Sequence, residues 1–230
     1  MTSPSAPQPT AQAECSQPPA ARTFPVHHHP TSSAPAPQVR LETLLVRSGT
    51  GTDPATGAIT TPIHLSTAYG HPGLGESTGY DYTRTASPTR DVLQDALARL
   101  EGGTAAFALS SGMAALELVT RTLAPHGSRI VALRDLYGGS FRFLEVLAEE
   151  GAADVDFVLG LEGLRGALAD PADLVIIETP TNPMMEEISI PEAAELAHAA
   201  GAKLVVDNTF YTPVVQRPLE LGADVVVHSG

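Results

Sequence analysis

The sequence is poor in thiols, amines and long apolar runs. One cysteine, Cys15, stands in 230 residues. A disulfide framework and a multi-cysteine metal site are thereby excluded. No apolar run reaches the roughly 20 residues that a membrane-spanning helix needs. The N-terminus carries no compact apolar segment of the kind that directs secretion, so the cytoplasm is the expected compartment and no membrane partner is expected. Basic residues are few: 13 Lys and Arg face 26 Asp and Glu, a net charge of -13. Such a surface repels phosphate backbones and argues against nucleic acid as the main partner. There is a single lysine, Lys203.

What is present divides into three materials. Residues 1–38 are rich in Pro, Ala, Ser, Thr and Gln and poor in large apolar side chains. Such a segment cannot bury enough surface to offset the entropy of ordering it, and the expectation is a disordered tail. His27, His28 and His29 lie in it as a polar tract without a scaffold. Residues 39–90 are punctuated by Gly, Pro and Thr and read as an arm that begins with a short helix over Leu41–Val46. Residues 91–230 are regular. "TRDVLQDALARLEGG" has the spacing of an amphipathic helix, with Val92, Leu93, Leu97 and Leu100 on one side and two glycines to end it. "AAFALS" (105–110) then predicts a strand and "GMAALELVTRTLAP" a helix. "RIVALRD", "DVDFVL", "DLVIIETP", "AKLVVDN" and "ADVVVHS" predict strands, and "SFRFLEVLAEEG", "LEGLRGALAD" and "IPEAAELAHAAG" predict helices. Apolar strands without alternation, separated by helices, give an α/β fold: a mostly parallel sheet with helices on both faces.

In such sheets ligands bind beyond the carboxyl ends of the strands. There the sequence places Ser110-Ser111-Gly112-Met113 opening a helix, Tyr137 before two glycines, the run Glu178 to Pro183, Asp207-Asn208-Thr209, and His228-Ser229. A helix N-terminus offers free N–H groups, so Ser111, Gly112 and Met113 suit a phosphate; an ordinary helix cap uses the same residues. Tyr137 beside glycines can lie flat on a ring, or be a core tyrosine. Asp207 ends an all-apolar strand, where a lone carboxylate is costly unless paired. A protonated ring nitrogen would pair it, as would a cap or an ion pair. Phosphate, flat ring and cationic nitrogen together describe pyridoxal 5'-phosphate, whose electron-sink chemistry needs an acidic partner.

The stretches "STAYGHPGLGESTGYDYTRTASPTR", "LEGG", "SSGMAA", "DLYGGSFR", "ETPTNPMM", "DNTFYTPVVQRPLELGAD" and "VVVHS" resemble the Cys/Met-metabolism family of pyridoxal-phosphate enzymes. That family includes cystathionine gamma-synthase, its lyase relatives and O-acetylhomoserine sulfhydrylase. The match covers nearly all of residues 41–230, and Ser87 stands where the family usually has Asn. The resemblance implies part of the large domain of a fold-type I transferase. Its reaction would be gamma-replacement on an O-acylhomoserine, with cysteine or sulfide as the thiol. A gamma- or beta-lyase is the other activity the family allows. It implies that Gly112, Met113 and Ser229 hold the phosphate and that Tyr137 and Asp207 are catalytic, stacking on the ring and pairing its nitrogen. Asn182 would sit near the 3-oxygen and Thr209 near the ring. Tyr82 and Arg84 would reach the phosphate of a neighbouring subunit in a homodimer or homotetramer; alternatively Arg84 pairs with a nearby carboxylate such as Asp81.

In that family the Schiff-base lysine falls two residues beyond the position of Gly230. The resemblance therefore implies the N-terminal part of an enzyme, inactive by itself, or else a non-catalytic remnant. Lys203 begins the strand that Asp207 ends, roughly 13 Å from the rim, and is expected to be a solvated surface residue. Borohydride reduction of this chain with pyridoxal phosphate should therefore leave Lys203 unlabelled. A single stoichiometric label there, found by peptide mapping, would contradict the placement.

Overall fold

The computed structural model describes residues 39–51, 53 and 55–230. The tail expected over 1–38, with Cys15 and the three adjacent histidines, lies outside the described residues. The elements are α1 (Leu41–Arg47), α2 (Pro88–Glu101), α3 (Gly112–Leu123), β1 (Ser128–Leu133), α4 (Gly138–Glu149), β2 (Ala153–Val158), α5 (Gly160–Ala167), β3 (Leu174–Glu178), α6 (Ile190–Ala199), β4 (Lys203–Asp207), α7 (Thr212–Val215), a 3-10 turn (Pro218–Leu221) and β5 (Val225–Val227). The five strands form one sheet in the order β2-β1-β3-β4-β5. Every pairing in it is parallel.

Successive residues of a strand point to opposite faces. All five residues of β3 are buried, so helices must cover both faces at the centre. The middles of β1 and β4 are equally dry: Ile130, Val131, Ala132, Leu204, Val205 and Val206 have no exposed surface. Helix α6 shows how a helix meets such a sheet. It buries Ile190, Ala193, Ala194 and Ala197, the i, i+3, i+4, i+7 spacing of one helical face, with alanines allowing close approach. Chain order turns back between β1 and β3, since β2 follows β1 outward on one side while β3 pairs on the other. That switch point opens a crevice beyond the carboxyl ends of β1 and β3.

One expected strand is absent. Residues 105–110 join no ladder, and Phe107 is 76 % exposed. An apolar sequence becomes a strand only where a neighbour satisfies its backbone groups. Among the described residues no strand does so here; the Ala108 N–H instead donates to the Gln94 side chain at 3.0 Å. Two elements were not anticipated, α7 and the 3-10 turn, both in the proline-bearing stretch that separates β4 from β5.

The amino end of the sheet is fastened by compensated charge. Arg129 binds Asp156 and the carbonyls of Ala167, Asp170 and Pro171. Lys203 lies there too, its side chain 58 % exposed and 2.8 Å from Asp224, in agreement with its expected surface position. Asp224 also accepts from the Leu204 N–H at 2.9 Å and lies 2.9 Å from His198 Nε2. Burial pushes its carboxyl up, but the hydrogen bonds from Lys203, Leu204 and His198 outweigh burial and hold it below the usual aspartate value. Stability from a lowered pKa is present above the unfolded value and is lost as pH falls through the folded one. Asp224→Asn should therefore cost about 1–3 kcal/mol at pH 7, by urea denaturation, and the gap should narrow in acid below the ordinary aspartate range. An equal cost at both pH values would contradict this account.

Candidate active site

The rim at the carboxyl end is assembled from five chain segments. Helix α3 starts at Gly112. The Ser111 hydroxyl caps it, accepting from the Ala114 N–H at 3.1 Å. The capping reading of Ser111 is thus correct for its side chain. The N–H groups of Gly112 and Met113 have no acceptor among the described residues, so they remain the helix's anion-binding groups. A Cβ on Gly112 would lie 2.6 Å from Ser229 Cβ, so only glycine lets this helix start come up against the turn after β5. The Ser229 N–H in turn donates to Thr209 Oγ1 at 3.0 Å.

Thr209 leads to Asp207. Asp207 Oδ1 accepts the Thr209 N–H at 3.0 Å and its hydroxyl at 2.5 Å. Asp207 is half-buried at the end of β4 and forms no ion pair among the described residues. Oδ1 caps the turn that follows through Thr209, but no salt bridge accounts for the carboxylate and Oδ2 has no hydrogen bond among the described residues. Across the sheet, Asp207 is in register with Glu178, the last residue of β3. Glu178 Oε2 accepts the backbone N–H of Tyr137 at 2.5 Å. Burial raises the Glu178 carboxyl to about 7, against the Tyr137 hydrogen bond, which lowers it; the charge of Asp207 raises it further. Tyr137 stands at the start of α4 with 48 % of its surface exposed. Its ring edge and Met113 Sδ pack where a side chain on Gly139 would be, at 2.5 and 3.0 Å from a built Cβ. Tyr137 is therefore a rim residue and not a core one.

Gly112, Met113, Tyr137, Asp207, Thr209 and Ser229 thus form one connected arc. Asn182 is half-buried in the loop after β3, which is held by the Thr181–Glu186 and Thr181–Met185 backbone bonds. Its own side chain makes no hydrogen bond among the described residues. Tyr82 and Arg84 lie apart, on the arm. Tyr82 bridges to Ala68, and the Arg84 guanidinium sits 4.3 Å from the Tyr82 ring centroid. Asp81 is engaged by Ser77 and His71 and is not the partner of Arg84.

The sequence placed Glu178 at the rim without giving it a role, and it gave no sign of a buried network beneath the rim. Glu101, 3 % exposed at the end of α2, lies 2.5 Å from His228 Nε2 and 3.3 Å from Asn208 Nδ2. Asn208 and Gln216 bind each other, and Gln216 Nε2 donates to the Thr179 carbonyl. The signal for Glu178 was available, a carboxylate ending the apolar run "LVII", the same signature that marked Asp207. A cavity of about 230 Å³ lies away from all of this, among α1, α2 and the arm, lined by Arg47, Thr50, Thr61, Asp95 and Arg99.

A rim with free N–H groups at one point and carboxyls without a cationic partner at another suits a small ligand bearing a phosphate and a cationic nitrogen. The family model for Cys/Met metabolism PLP-dependent enzymes matches residues 42–230. The chain belongs to that family. Its members use pyridoxal phosphate, and the donor set of the rim fits that cofactor. Over 196 residues the chain is 46 % identical to the cystathionine gamma-synthase of Haemophilus influenzae, covering 84 % of this chain and 53 % of that one. It is 40 % identical to a cystathionine beta-lyase of Lactococcus lactis subsp. cremoris, over 82 % of this chain and 50 % of that one. The crystal structure of cystathionine gamma-synthase from Xanthomonas oryzae pv. oryzae, in complex with aminoacrylate and cysteine, superposes with a TM-score of 0.80 at 42 % identity, over 83 % of this chain and 50 % of that one. The chain spans about half the length of the relatives it matches. Among the described residues no helix is long and apolar enough to cross a membrane.

Glu178 also sets a pH dependence. The folded chain keeps its proton up to about pH 7, whereas an unfolded chain releases it near the ordinary glutamate value. Between these values the folded state binds more protons, so stability falls as pH rises through the window. Thermal melts from pH 4.5 to 8 should show this decline in the wild type, and Glu178→Gln should flatten it. Identical slopes in the two proteins would overturn the assignment.

Proposed function

We propose that the intact protein carrying this chain catalyses pyridoxal-phosphate-dependent gamma-replacement on an O-acylhomoserine. Cysteine would give cystathionine and sulfide would give homocysteine, with the acyl group released as its carboxylate. The observation that carries this reading is the half-buried Asp207 carboxylate, which lacks any cationic partner among the described residues yet ends a strand beside free helix N–H groups. The 46 % identity to a cystathionine gamma-synthase favours the synthase over other chemistries that the same rim could serve. The 40 % identity to a cystathionine beta-lyase supports the second reading, a lyase acting on cystathionine or a related thioether.

When bound, the cofactor supplies an electron sink for carbanion chemistry. The chain's own residues have separate tasks. The Gly112 and Met113 N–H groups, with the Ser229 hydroxyl, hold the phosphate at the positive end of α3. Tyr137 presents its ring face to the pyridine. Asp207 keeps a proton on the ring nitrogen, because a nearby anion favours the charged form of a base. Thr209, bonded to Asp207 Oδ1, leaves the other carboxylate oxygen free for that nitrogen. Asn182 is assigned to the ring's 3-oxygen. Tyr82 and Arg84 are assigned to the phosphate of a second copy of the chain in a homodimer, two of which would form a tetramer. The planar guanidinium is suited to that task, since it can donate two hydrogen bonds to one phosphate.

The test is product analysis with the purified intact protein, O-acetyl- or O-succinylhomoserine, and cysteine or sulfide. A thioether or thiol amino acid should form at the expense of the ester. Keto acid and ammonia released from cystathionine, with no replacement product, would establish the lyase instead. Asp207→Asn should keep the fold and lower turnover by about 100-fold or more, the scale of losing one preorganised electrostatic contact at a reacting centre. Unchanged turnover would dismiss its role.

A further inference from the structure

The switch point between β1 and β3 carries a contact that the expected cofactor residues do not explain. Glu178 ends β3 and is 5 % exposed. The chain leaving β1 passes over it at Tyr137, whose backbone N–H donates to Glu178 Oε2 at 2.5 Å. Tyr137 is the residue before α4, and its ring is held from the other side by the close approach to Gly139 and Met113. Glu178 thus fixes the Tyr137 backbone, and Gly139 and Met113 flank its ring.

A neutral acceptor would have satisfied the same N–H. The fold instead buries an ionisable acid in register with a second one, Asp207 on β4, the costly option for stability. No cation relieves the pair among the described residues. Arg142 on α4 approaches Gly138 but forms no ion pair with Glu178. Arg134 and Asp135, on the loop after β1, form no hydrogen bond with it. Asp207 is the charged group that bears on it, and the Tyr137 N–H is its one hydrogen-bond donor. Costly carboxyls concentrated in a crevice mark function more often than packing.

We propose that Glu178 is a positioning residue for the cofactor: it holds the Tyr137 backbone above the β1–β3 crevice so that the ring meets the pyridine flat, and it places a second carboxyl beside Asp207 under the ring. This inference rests on the reading that pyridoxal phosphate binds at the rim. Ionised, Glu178 holds the N–H more firmly than a neutral acceptor does, because charge-assisted hydrogen bonds are the stronger kind. It also adds negative potential where the pyridinium proton must stay. Protonated, it resembles glutamine.

Equilibrium titration of the intact protein with pyridoxal phosphate at pH 6 and pH 8 tests this without reference to turnover. Glu178→Ala should weaken binding about tenfold at pH 8, the scale of one hydrogen bond to a charged acceptor. Glu178→Gln keeps shape and acceptor. It should bind within about twofold of wild type at pH 6 and about fivefold more weakly at pH 8, the loss that follows from removing the charge alone. Cofactor titration is common to both proteins and cancels in their ratio. A Glu178→Gln ratio that does not change with pH overturns the proposal, since a merely structural role leaves the ratio fixed. Tyr137→Ala and Asp207→Asn separate the two layers. If both weaken binding while Glu178→Ala does not, the positioning role is wrong and the cofactor site stands. If neither weakens binding, the site itself is misplaced and the proposal falls with it.

Discussion

Burial of the sheet on both faces is the constraint from which the rest of the molecule follows. With every residue of β3 buried, no position along the central strands can hold an unpaired polar group without a penalty of a few kcal/mol. Polar chemistry is driven to the strand ends. Because every pairing is parallel, all carboxyl ends lie along one edge and all amino ends along the other. The register of β3 with β4 then sets Glu178 beside Asp207, and the reversal of chain order between β1 and β3 opens the crevice over which Tyr137 passes. The rim is a consequence of topology acting on two strand-terminal carboxyls and on the residue that precedes α4.

Beneath that edge a second layer fixes where the rim points. Asn208, fully buried directly after Asp207, donates to Glu101 and to the Gln216 carbonyl and accepts from the Gln216 amide. Thr209, two residues on, bonds Asp207 itself. The chain after Asp207 is thus anchored at Asn208, and the Asp207 carboxylate is held by Thr209. His228, which precedes Ser229, reaches the same Glu101 oxygen at 2.5 Å. One buried glutamate therefore ties the turn that bears Ser229 to the turn that bears Asp207. The second oxygen of Glu101 has no hydrogen-bond partner among the described residues, a cost of burying this tie.

The parts of this arrangement that were legible in the sequence are those with a local signature. Apolar runs without alternation marked β1, β3, β4 and β5, and burial on both faces of the central strands erases the period of two; β2, at the sheet edge, alternates and is only partly buried. Asp207 was legible as a lone carboxylate at the end of such a run, Tyr137 as a ring beside glycines that permit close approach, and Gly112 as part of a helix N-terminus with free N–H groups. Residues 105–110 carried the same apolar signature and misled, since a strand is a relation between two segments and composition describes only one. Strand order was illegible for the same reason: alternating strands and helices are compatible with several orders, and only the hydrogen-bonded register selects one. The Glu101–His228 contact joins residues 127 positions apart, and buried polar pairs leave no periodic trace. The family resemblance supplied the roles of Asn182, Tyr82 and Arg84, and among the described residues neither Tyr82 nor Arg84 makes a hydrogen bond or ion pair with a rim residue.

The two ends of the sheet differ in one physical respect, and that difference makes one of them a site. At the amino end each charge has its complement: Arg129 meets Asp156 and the carbonyls of Ala167, Asp170 and Pro171, while Asp224 meets Lys203, with His198 at hydrogen-bond distance. At the carboxyl end the charges are left separated, with unfilled N–H groups at the start of α3 and two carboxyls at the ends of β3 and β4. A free lysine or arginine at that edge would close the gap by pairing with Asp207 or Glu178, and the rim would become another fastening. The single lysine of the chain is instead held at the opposite end by Asp224. The basic residues nearest Asp207 in sequence, Lys203 and Arg217, are paired with Asp224 and Glu220, and Arg134 and Arg142 form no ion pair with either carboxyl among the described residues. A dipolar ligand, anionic at one end and cationic at the other, is the complement that such a rim selects.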